Sequence, residues 1–326
     1  SYINKLHPVK HAAFYPIIAS IFSKFLPLLE QVVTDLVHPR QPRVVPDLSK
    51  YFQSDEPMPE YGDCLYKQRY SEWEERAKFV HPQPEPFVAP ARPASPYRLC
   101  GRRIQAIVRM SSIELTPEMP IYGGVDWSVA GLYNERIIAT GIFFYDVVNV
   151  YQRSLQFREA LCSWDREEHQ PKIEMVHKAY GITLDDMRRK WHRISQELGP
   201  VEIKNGRCVV FPSIHQHKVP ELELADRTKP GHCKMLMFYF VAPSTRIPST
   251  EIVPPQQQEW YFEDILASEP FRSLPHLVVD GIMDKVDFPI SLKEAKQFRS
   301  QMCQSIAADY IADEMFEPYL GYYIGE

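Results

Sequence analysis

Three short runs of β-branched and aromatic residues constrain the fold of this chain most strongly. They are residues 136–145 (RIIATGIFFY), 207–211 (RCVVF) and 234–241 (KMLMFYFV). Runs this short, and this rich in Val, Ile, Phe and Tyr, are typical of buried strands and not of buried helices. Residues 104–110 alternate apolar and polar side chains, which predicts a further, half-buried strand. Turn signals bracket these strands at Gly123-Gly124, Asn205-Gly206 and Pro230-Gly231.

Helical patterns lie before, between and after the strands. Residues 11–37 carry apolar side chains at helical spacing, although Pro27 is expected to kink or split that helix. A second helix is suggested around Trp73, within residues 64–80. Capping-box patterns open two more helices, at Thr183 and Asp186 and again at Ser291 and Glu294. We therefore predict an α+β protein with an antiparallel core, flanked by N-terminal, inserted and C-terminal helices.

The predicted organisation has three parts that form one integrated domain. Residues 1–97 are a helical part that ends in a strap with six prolines between His81 and Pro96, which excludes regular helix there. Residues 98–250 are the β core with a helical insertion near 155–199, and residues 251–326 are a helical extension. A flexible linker between independent domains is the alternative interpretation of the strap.

Composition and net charge indicate which kinds of partner this protein can bind and in which compartment it is found. The net charge is -5 and no cluster of Lys and Arg is present, which argues against a nucleic-acid surface. The six cysteines form no CxxC pair, so we expect reduced thiols in a cytoplasmic protein. Charged residues and Pro27 interrupt the apolar stretch of residues 16–37, which favours a buried helix over a membrane span. The chain begins with Ser1 and no methionine, so further residues are expected to precede it.

Three longer segments carry a family resemblance. They are residues 101–124 (GRRIQAIVRMSSIELTPEMPIYGG), 127–149 (WSVAGLYNERIIATGIFFYDVVN) and 206–243 (GRCVVFPSIHQHKVPELELADRTKPGHCKMLMFYFVAP). They resemble an uncharacterised fungal family whose core is similar to Fe(II)/2-oxoglutarate oxygenases. The resemblance implies a double-stranded β-helix, a cupin-like jelly-roll barrel with a pocket at one mouth. It also implies a Trp-His-Val-Glu-Gly stretch and a later Gln-His, which together supply two imidazoles and one carboxylate to iron.

This chain departs from that pattern at the metal-binding positions. Ser128 stands where the first histidine is implied and Ala130 where the carboxylate is implied, so only His217 remains. Cys233 replaces an arginine that would bind the co-substrate carboxylate. We therefore predict no metal and no cofactor. A metal site rebuilt from His215, His217, His232 and Asp126 is the alternative.

Ten residues are candidates for the functional site. The candidate catalytic residues are His217, Arg136 and Lys234, and the candidate substrate-binding residues are Trp127, Ser128, Ala130, Asn134, Tyr145, His215 and Cys233. A histidine or arginine in a pocket can donate a hydrogen bond to a substrate carbonyl or transfer a proton. Each candidate also has a structural interpretation: His217 as a core histidine, Ser128 as a space filler, Trp127 as core packing, and Lys234 as a solvated strand end.

The predicted function rests on the expectation that the chain forms a barrel that lacks the metal ligands of the family. No dinucleotide, phosphate-loop or nucleophile-elbow motif is present. We expect a cofactor-independent cyclase, isomerase or lyase of fungal secondary metabolism, such as a hetero-Diels–Alder pericyclase, acting on an apolar small molecule with a carbonyl. The alternatives are an oxygenase with the rebuilt metal site and a non-catalytic pseudo-oxygenase that binds a small molecule. The sequence specifies neither the substrate nor the oligomeric state.

Overall fold

The structure is a computed structural model of the 326-residue chain. It describes residues 1–38, 51–60, 65–81, 83, 86, 91, 95–151, 153–160, 195–286 and 289–311. The helices described are α1 (Phe14–Val37), α2 (Tyr66–Arg76), α3 (Gln258–Ala267), α4 (His276–Met283) and α5 (Leu292–Ile311). The strands described are β1 (Phe52–Gln53), β2 (Lys78–Phe79), β3 (Ala106–Leu115), β4 (Ile121–Tyr122), β5 (Ile137–Val148), β6 (Val150–Tyr151), β7 (Ser154–Ala160), β8 (Ser195–Glu202), β9 (Arg207–Pro212), β10 (Gln216–Lys218), β11 (Leu222–Leu224) and β12 (Gly231–Val241).

A four-stranded antiparallel sheet in the order β3-β12-β5-β9 is built from the strands that the sequence predicts. Its cross-strand rows are defined by the register: Met237 lies opposite both Arg109 and Ile142, and Ile142 lies opposite Val209. Because side chains alternate along each strand, every row belongs to one face of the sheet. The prediction of an α+β chain with antiparallel sheets is confirmed.

One face of this sheet, which we call the inner face, shares a core with strands of two smaller sheets. The smaller sheets have the orders β4-β11-β6 and β10-β7-β8. Ile142, Phe144 and Met235 of the inner face belong to one buried cluster with Leu155 of β7 and Leu222 of β11. Fully burying an aliphatic or aromatic side chain contributes about 1.5–3 kcal/mol, so this cluster holds the three sheets together.

The opposite face, which we call the outer face, packs against α1. Phe25 and Leu29 of α1 are fully buried with Leu236, Phe238 and Phe240 of β12. The rings of Phe25 and Phe238 lie 5.2 Å apart in an edge-to-face arrangement, which suits aromatic quadrupoles.

Gly141 of β5 allows this close approach of helix and sheet. A Cβ atom at this position would lie 2.6 Å from Cδ1 of Phe25. Pro27 was expected to kink or split α1, but the helix continues through this residue without a break. Glu30 fixes the C-terminal half of α1, because its carboxylate accepts a hydrogen bond of 2.8 Å from the amide of Leu99.

Helix α1 is also long and apolar enough to cross a membrane by length and composition. Its buried side chains nevertheless lie against the sheet, as those of a core helix do. The same composition therefore describes both kinds of helix, and the packing of Phe25 and Leu29 agrees with the predicted buried helix.

The predicted helical insertion near residues 155–199 is corrected at both ends, because β7 and β8 occupy them. Leu155 and Phe157 are buried on alternate positions of β7, which is a strand pattern. The predicted cap at Thr183 and Asp186 lies outside the described residues. The cap at Ser291 and Glu294 is confirmed: the Ser291 amide donates to Glu294 Oε2 at 2.9 Å, and the Glu294 amide donates to Ser291 Oγ at 3.3 Å.

The chain divides into two compact units. The first combines Ser1–Val37, Ser95–Phe157 and Gly199–Glu326, and the second combines His38–Ala94 and Arg158–Leu198. In the second unit, the ring of Trp73 on α2 lies 5.4 Å from that of Phe52, and its indole N–H donates to the Glu56 carbonyl at 2.9 Å. The predicted division at residues 97 and 250 stays a prediction.

Candidate functional site

Ser128 and His217 face each other as an antiparallel pair. The amide of Ser128 donates to the carbonyl of His217 at 3.1 Å, and the amide of His217 donates to the carbonyl of Ser128 at 3.0 Å. Residues that exchange both hydrogen bonds project their side chains to the same side. Two residues that lie far apart in the sequence, both predicted to line the pocket, are therefore neighbours.

The imidazole of His217 lies against an aromatic surface in the interior. Its ring centroid is 4.9 Å from that of Phe211, which in turn lies 4.8 Å from Phe157. Nδ1 of His217 is buried and has no hydrogen-bond partner. Burial lowers the pKa of His217 to about 4, because desolvation penalises the imidazolium. At neutral pH this side chain is an uncharged imidazole that can donate one hydrogen bond and accept another.

Trp127 lies on the other side of this strand pair. Nζ of Lys218 is 4.6 Å from the centre of the Trp127 ring, a cation–π geometry. Trp127 and Lys218 are the chain neighbours of Ser128 and His217, and neighbouring side chains along an extended chain point to opposite faces. The structure therefore places Trp127 away from His217, in contact with Lys218.

A polar row on the inner face adds residues that sequence reasoning missed. Thr140 of β5 lies opposite Phe211 on one side and Tyr239 on the other. The Thr140 hydroxyl is buried without a hydrogen-bond partner. Burial raises the pKa of Tyr239, and the charge and hydrogen bond of Arg109 oppose that rise. The sequence did contain a signal for these two residues, because the hydroxyls of Thr140 and Tyr239 interrupt two strongly apolar runs.

Three of the predicted site residues are buried: Trp127, Ala130 and Cys233. Cys233 lies opposite Ile113 and Val147 in the register. Burial raises the pKa of the Cys233 thiol to about 11. This cysteine is therefore protonated at neutral pH and packs as a small apolar side chain.

Lys234 lies on the outer face, since its neighbours Cys233 and Met235 belong to the inner core. Its Nζ is 3.3 Å from Oδ2 of Asp146, and Nε2 of His232 is 2.7 Å from the same oxygen. His232 and Lys234 together lower the pKa of the Asp146 carboxyl. The structure does not bring Lys234 to Ser128 and His217, because strand alternation directs it to the opposite face.

The remaining candidates lie around the ends of β5 and β9. Asn134 is exposed and Arg136 is half-buried, with its carbonyl accepting from the Ala242 amide at 2.9 Å. Tyr145 is 38% exposed on an irregularity of β5, where the register with β12 shifts. His215 is half-buried, two residues before His217.

The donor set at these positions does not fit an Fe(II) site. Two imidazoles and one carboxylate are required on one face, whereas Ser128 offers a neutral hydroxyl and Ala130 offers no donor. The rebuilt set is not assembled either, because His232 is on the outer face with Asp146. Across the described part of the chain, no group of three or more His, Cys, Asp and Glu side chains is placed to hold a metal ion. The residues at positions 128, 130 and 217 therefore do not fit the iron centre that the resemblance implies.

A protein-family model covers most of the chain. The model of DUF4246, whose description is "Protein of unknown function", matches residues 1–264. The chain belongs to the DUF4246 family. A comparison with curated proteins finds no match.

Solved structures show slight similarity to this DUF4246 protein. A selenomethionine-labelled Fe(II)/α-ketoglutarate-dependent dioxygenase, TqaL, is 11% identical with a TM-score of 0.26, over 45% of this chain and 44% of the dioxygenase. A cupin protein from Bacteroides fragilis is 9% identical with a TM-score of 0.18, over 48% of this chain and 91% of the cupin. The chain thus spans less than half the length of the dioxygenase that it matches.

Proposed function

We propose that this DUF4246 protein is a metal-independent enzyme, a cyclase, isomerase or lyase, that converts a small apolar molecule bearing a carbonyl group. The observation that carries the proposal is the pair of Ser128 and His217. It presents a hydroxyl and an uncharged imidazole on one face, beside the ring of Phe211. A buried imidazole nitrogen without a partner costs about 1–3 kcal/mol, and a bound substrate that supplies that partner offsets the cost.

The residues around His217 suit a reaction that depends on orientation and hydrogen bonding. Phe211 and Phe157 provide flat apolar surface that can hold reacting groups in a near-attack arrangement. His217 or Ser128 donates a hydrogen bond to the substrate carbonyl, where negative charge develops in the transition state. One such donor contributes about 3–4 kcal/mol in water-excluded sites. The neutral imidazole of His217 can also accept a proton, as an isomerase or lyase reaction would require, whereas a protonated imidazole could not.

We also propose a specific reaction and a setting for it. The reaction is a hetero-Diels–Alder addition of a quinone-methide-like partner to an alkene, in fungal secondary metabolism and in the cytoplasm. The barrel is a double-stranded β-helix, which the shared core of the three antiparallel sheets supports. Support for the chemistry itself comes from the residues present at positions 128, 130 and 217.

The test uses chelator-treated protein and an ortho-quinone methide generated in situ with an alkene partner. Chiral chromatography measures the formation of a single adduct enantiomer. We expect His217→Ala to lower the catalysed rate by about 100-fold, the loss typical for one such donor. The matched control is His232→Ala, a histidine on the outer face, which should retain the wild-type rate.

Two outcomes would contradict the proposal. Loss of turnover on chelation with recovery on addition of Fe(II) would identify a metal enzyme. Saturable binding of the substrate pair without any rate enhancement over buffer would identify a non-catalytic binding protein, the other function considered above.

A further inference from the structure

A cavity lies on the outer face of the four-stranded sheet, and His217 is not among its lining residues. Its volume is about 510 Å³, within the range of about 300–1,000 Å³ that is usual for small-molecule sites. It is bounded by the N-terminal half of α1, residues 103–108, the end of β12 and residues 242–251. Phe238 lines it, whereas the next residue, Tyr239, belongs to the inner core. The sheet therefore separates this cavity from the site of the proposed function.

The cavity is held open by hydrogen bonds between its bounding segments. The side chain of Gln105 donates to the Ile247 carbonyl at 2.8 Å and accepts from the Ile247 amide at 3.0 Å. The hydroxyl of Thr250 donates to the Tyr2 carbonyl at 2.6 Å. The Tyr15 hydroxyl accepts from the Ile3 amide at 3.1 Å, and both residues line the cavity. A pre-formed cavity of this kind requires little ordering on binding, which favours affinity.

The lining is apolar at the base. Ile18 and Phe22 of α1 meet Val108 of β3 and Phe238 of β12 there. The rings of Phe22 and Phe238 are 5.1 Å apart. An apolar molecule that displaces water from these surfaces gains the hydrophobic free energy of their burial.

The lining also carries an excess of positive side chains. Arg103 and Arg246 both line the cavity, and both pair with the single carboxylate of Glu251. Two guanidinium groups share one carboxylate, so this group of three side chains has one uncompensated positive charge. Guanidinium groups bind carboxylates in a planar, bidentate manner.

We propose that this outer-face cavity binds a small amphipathic carboxylate. Its apolar part lies against Phe22, Ile18 and Phe238, and its carboxylate binds Arg103 and Arg246. The cavity is separate from the pair of Ser128 and His217, and this proposal does not depend on the function proposed for that pair.

The test is an isothermal titration of the full chain with decanoate. We expect saturable binding, and weaker binding of decan-1-ol and of decylammonium. Ala19→Phe, which places a ring in the cavity from α1, should weaken decanoate binding by about tenfold or more, because the ring occupies the space of the alkyl chain. Ser20→Phe, on the same helix but not lining the cavity, is the matched control and should leave binding unchanged.

Removing the negative charge of Glu251 tests the role of charge, because it should strengthen decanoate binding. Glu251→Gln removes the carboxylate that competes for both guanidinium groups, so decanoate should bind about two- to fivefold more tightly. Arg246→Gln should weaken binding by a similar factor. Absence of saturable binding to the wild type, or equal affinity for decanoate and decylammonium, would overturn the proposal while leaving the His217 experiment unaffected.

Discussion

At the scale of single residues, His217 and Thr140 each have a buried polar atom without a hydrogen-bond partner, and both are candidates for contact with a substrate. His217, Ser128 and Ala130 were identified from the sequence, because they occupy the positions at which the resemblance implies metal ligands. Thr140 and Tyr239 were not identified, because a hydroxyl in an apolar run is indistinguishable from core packing until the register is known. Their place beside Phe211 depends on which strands pair, and local sequence does not encode that pairing.

The pKa of His217 makes the stability of the protein dependent on pH. The folded-state pKa is about 4, below the usual 6.5, so between these values the unfolded chain binds more protons. Stability from this residue is therefore present above pH 6.5 and is lost as the pH falls, by up to about 3 kcal/mol near pH 4. Urea unfolding of the wild type and of His217→Gln at pH 7, 5.5 and 4.5 measures the difference. Parallel pH dependences would contradict the buried, neutral imidazole.

Thr140 allows a test in which stability and activity change in opposite directions. Thr140→Val keeps the shape and removes a buried hydroxyl that has no partner. We expect the unliganded protein to gain about 1 kcal/mol, since the desolvation cost of the hydroxyl disappears. If the hydroxyl binds substrate, turnover in the quinone-methide assay should fall. Thermal unfolding and initial rates are measured on the same sample, and a destabilised variant would show that the hydroxyl has a structural partner.

At the scale of elements, long patterned segments are predictable and short ones are not. The apolar runs at 136–145, 207–211 and 234–241 lie within β5, β9 and β12 almost as predicted. Strands of two or three residues, such as β4 and β10, are too short to show any period. Strand β8 contains Gly199 and Pro200, residues that usually interrupt a strand pattern, yet it pairs with β7 in the sheet.

The contact between Gly141 and α1 predicts a size limit at this position. Gly141→Ala places a methyl group 2.6 Å from the ring of Phe25, which is fully buried and cannot swing away. We expect a loss of about 1–3 kcal/mol from overpacking, measured by urea unfolding. Gly281→Ala in α4 is the control, because nothing lies within 4 Å of the added methyl. Combining Gly141→Ala with Phe25→Leu should recover part of the loss.

At the scale of the whole molecule, one sheet carries two unrelated surfaces. The inner face of β12 contributes Met235 and Met237 to the core that it shares with the smaller sheets, and the outer face contributes Leu236, Phe238 and Phe240 to the contact with α1. The sequence predicted that these residues are buried. It could not assign them to two cores, because a strand covered on both faces lacks the polar alternation that reveals direction.

Substitutions on the two faces should therefore separate the two binding events. Met237→Leu alters the inner face next to Ile142, and we expect it to change turnover without changing decanoate affinity. Phe238→Leu alters the outer cavity, and we expect the reverse. Initial rates and titration calorimetry on both variants check the pair. A joint loss of both activities at unchanged thermal stability would mean that the sheet couples the two sites.

The alternation of β12 also has a consequence for genetic experiments. In a deep mutational scan selected on a single activity, tolerance along codons 235–240 should rise and fall with a period of two. If the first selection is for turnover, a second selection for decanoate binding should show the same oscillation shifted by one codon. Two such profiles, out of phase along one strand, would map both faces of the molecule without any further structural measurement.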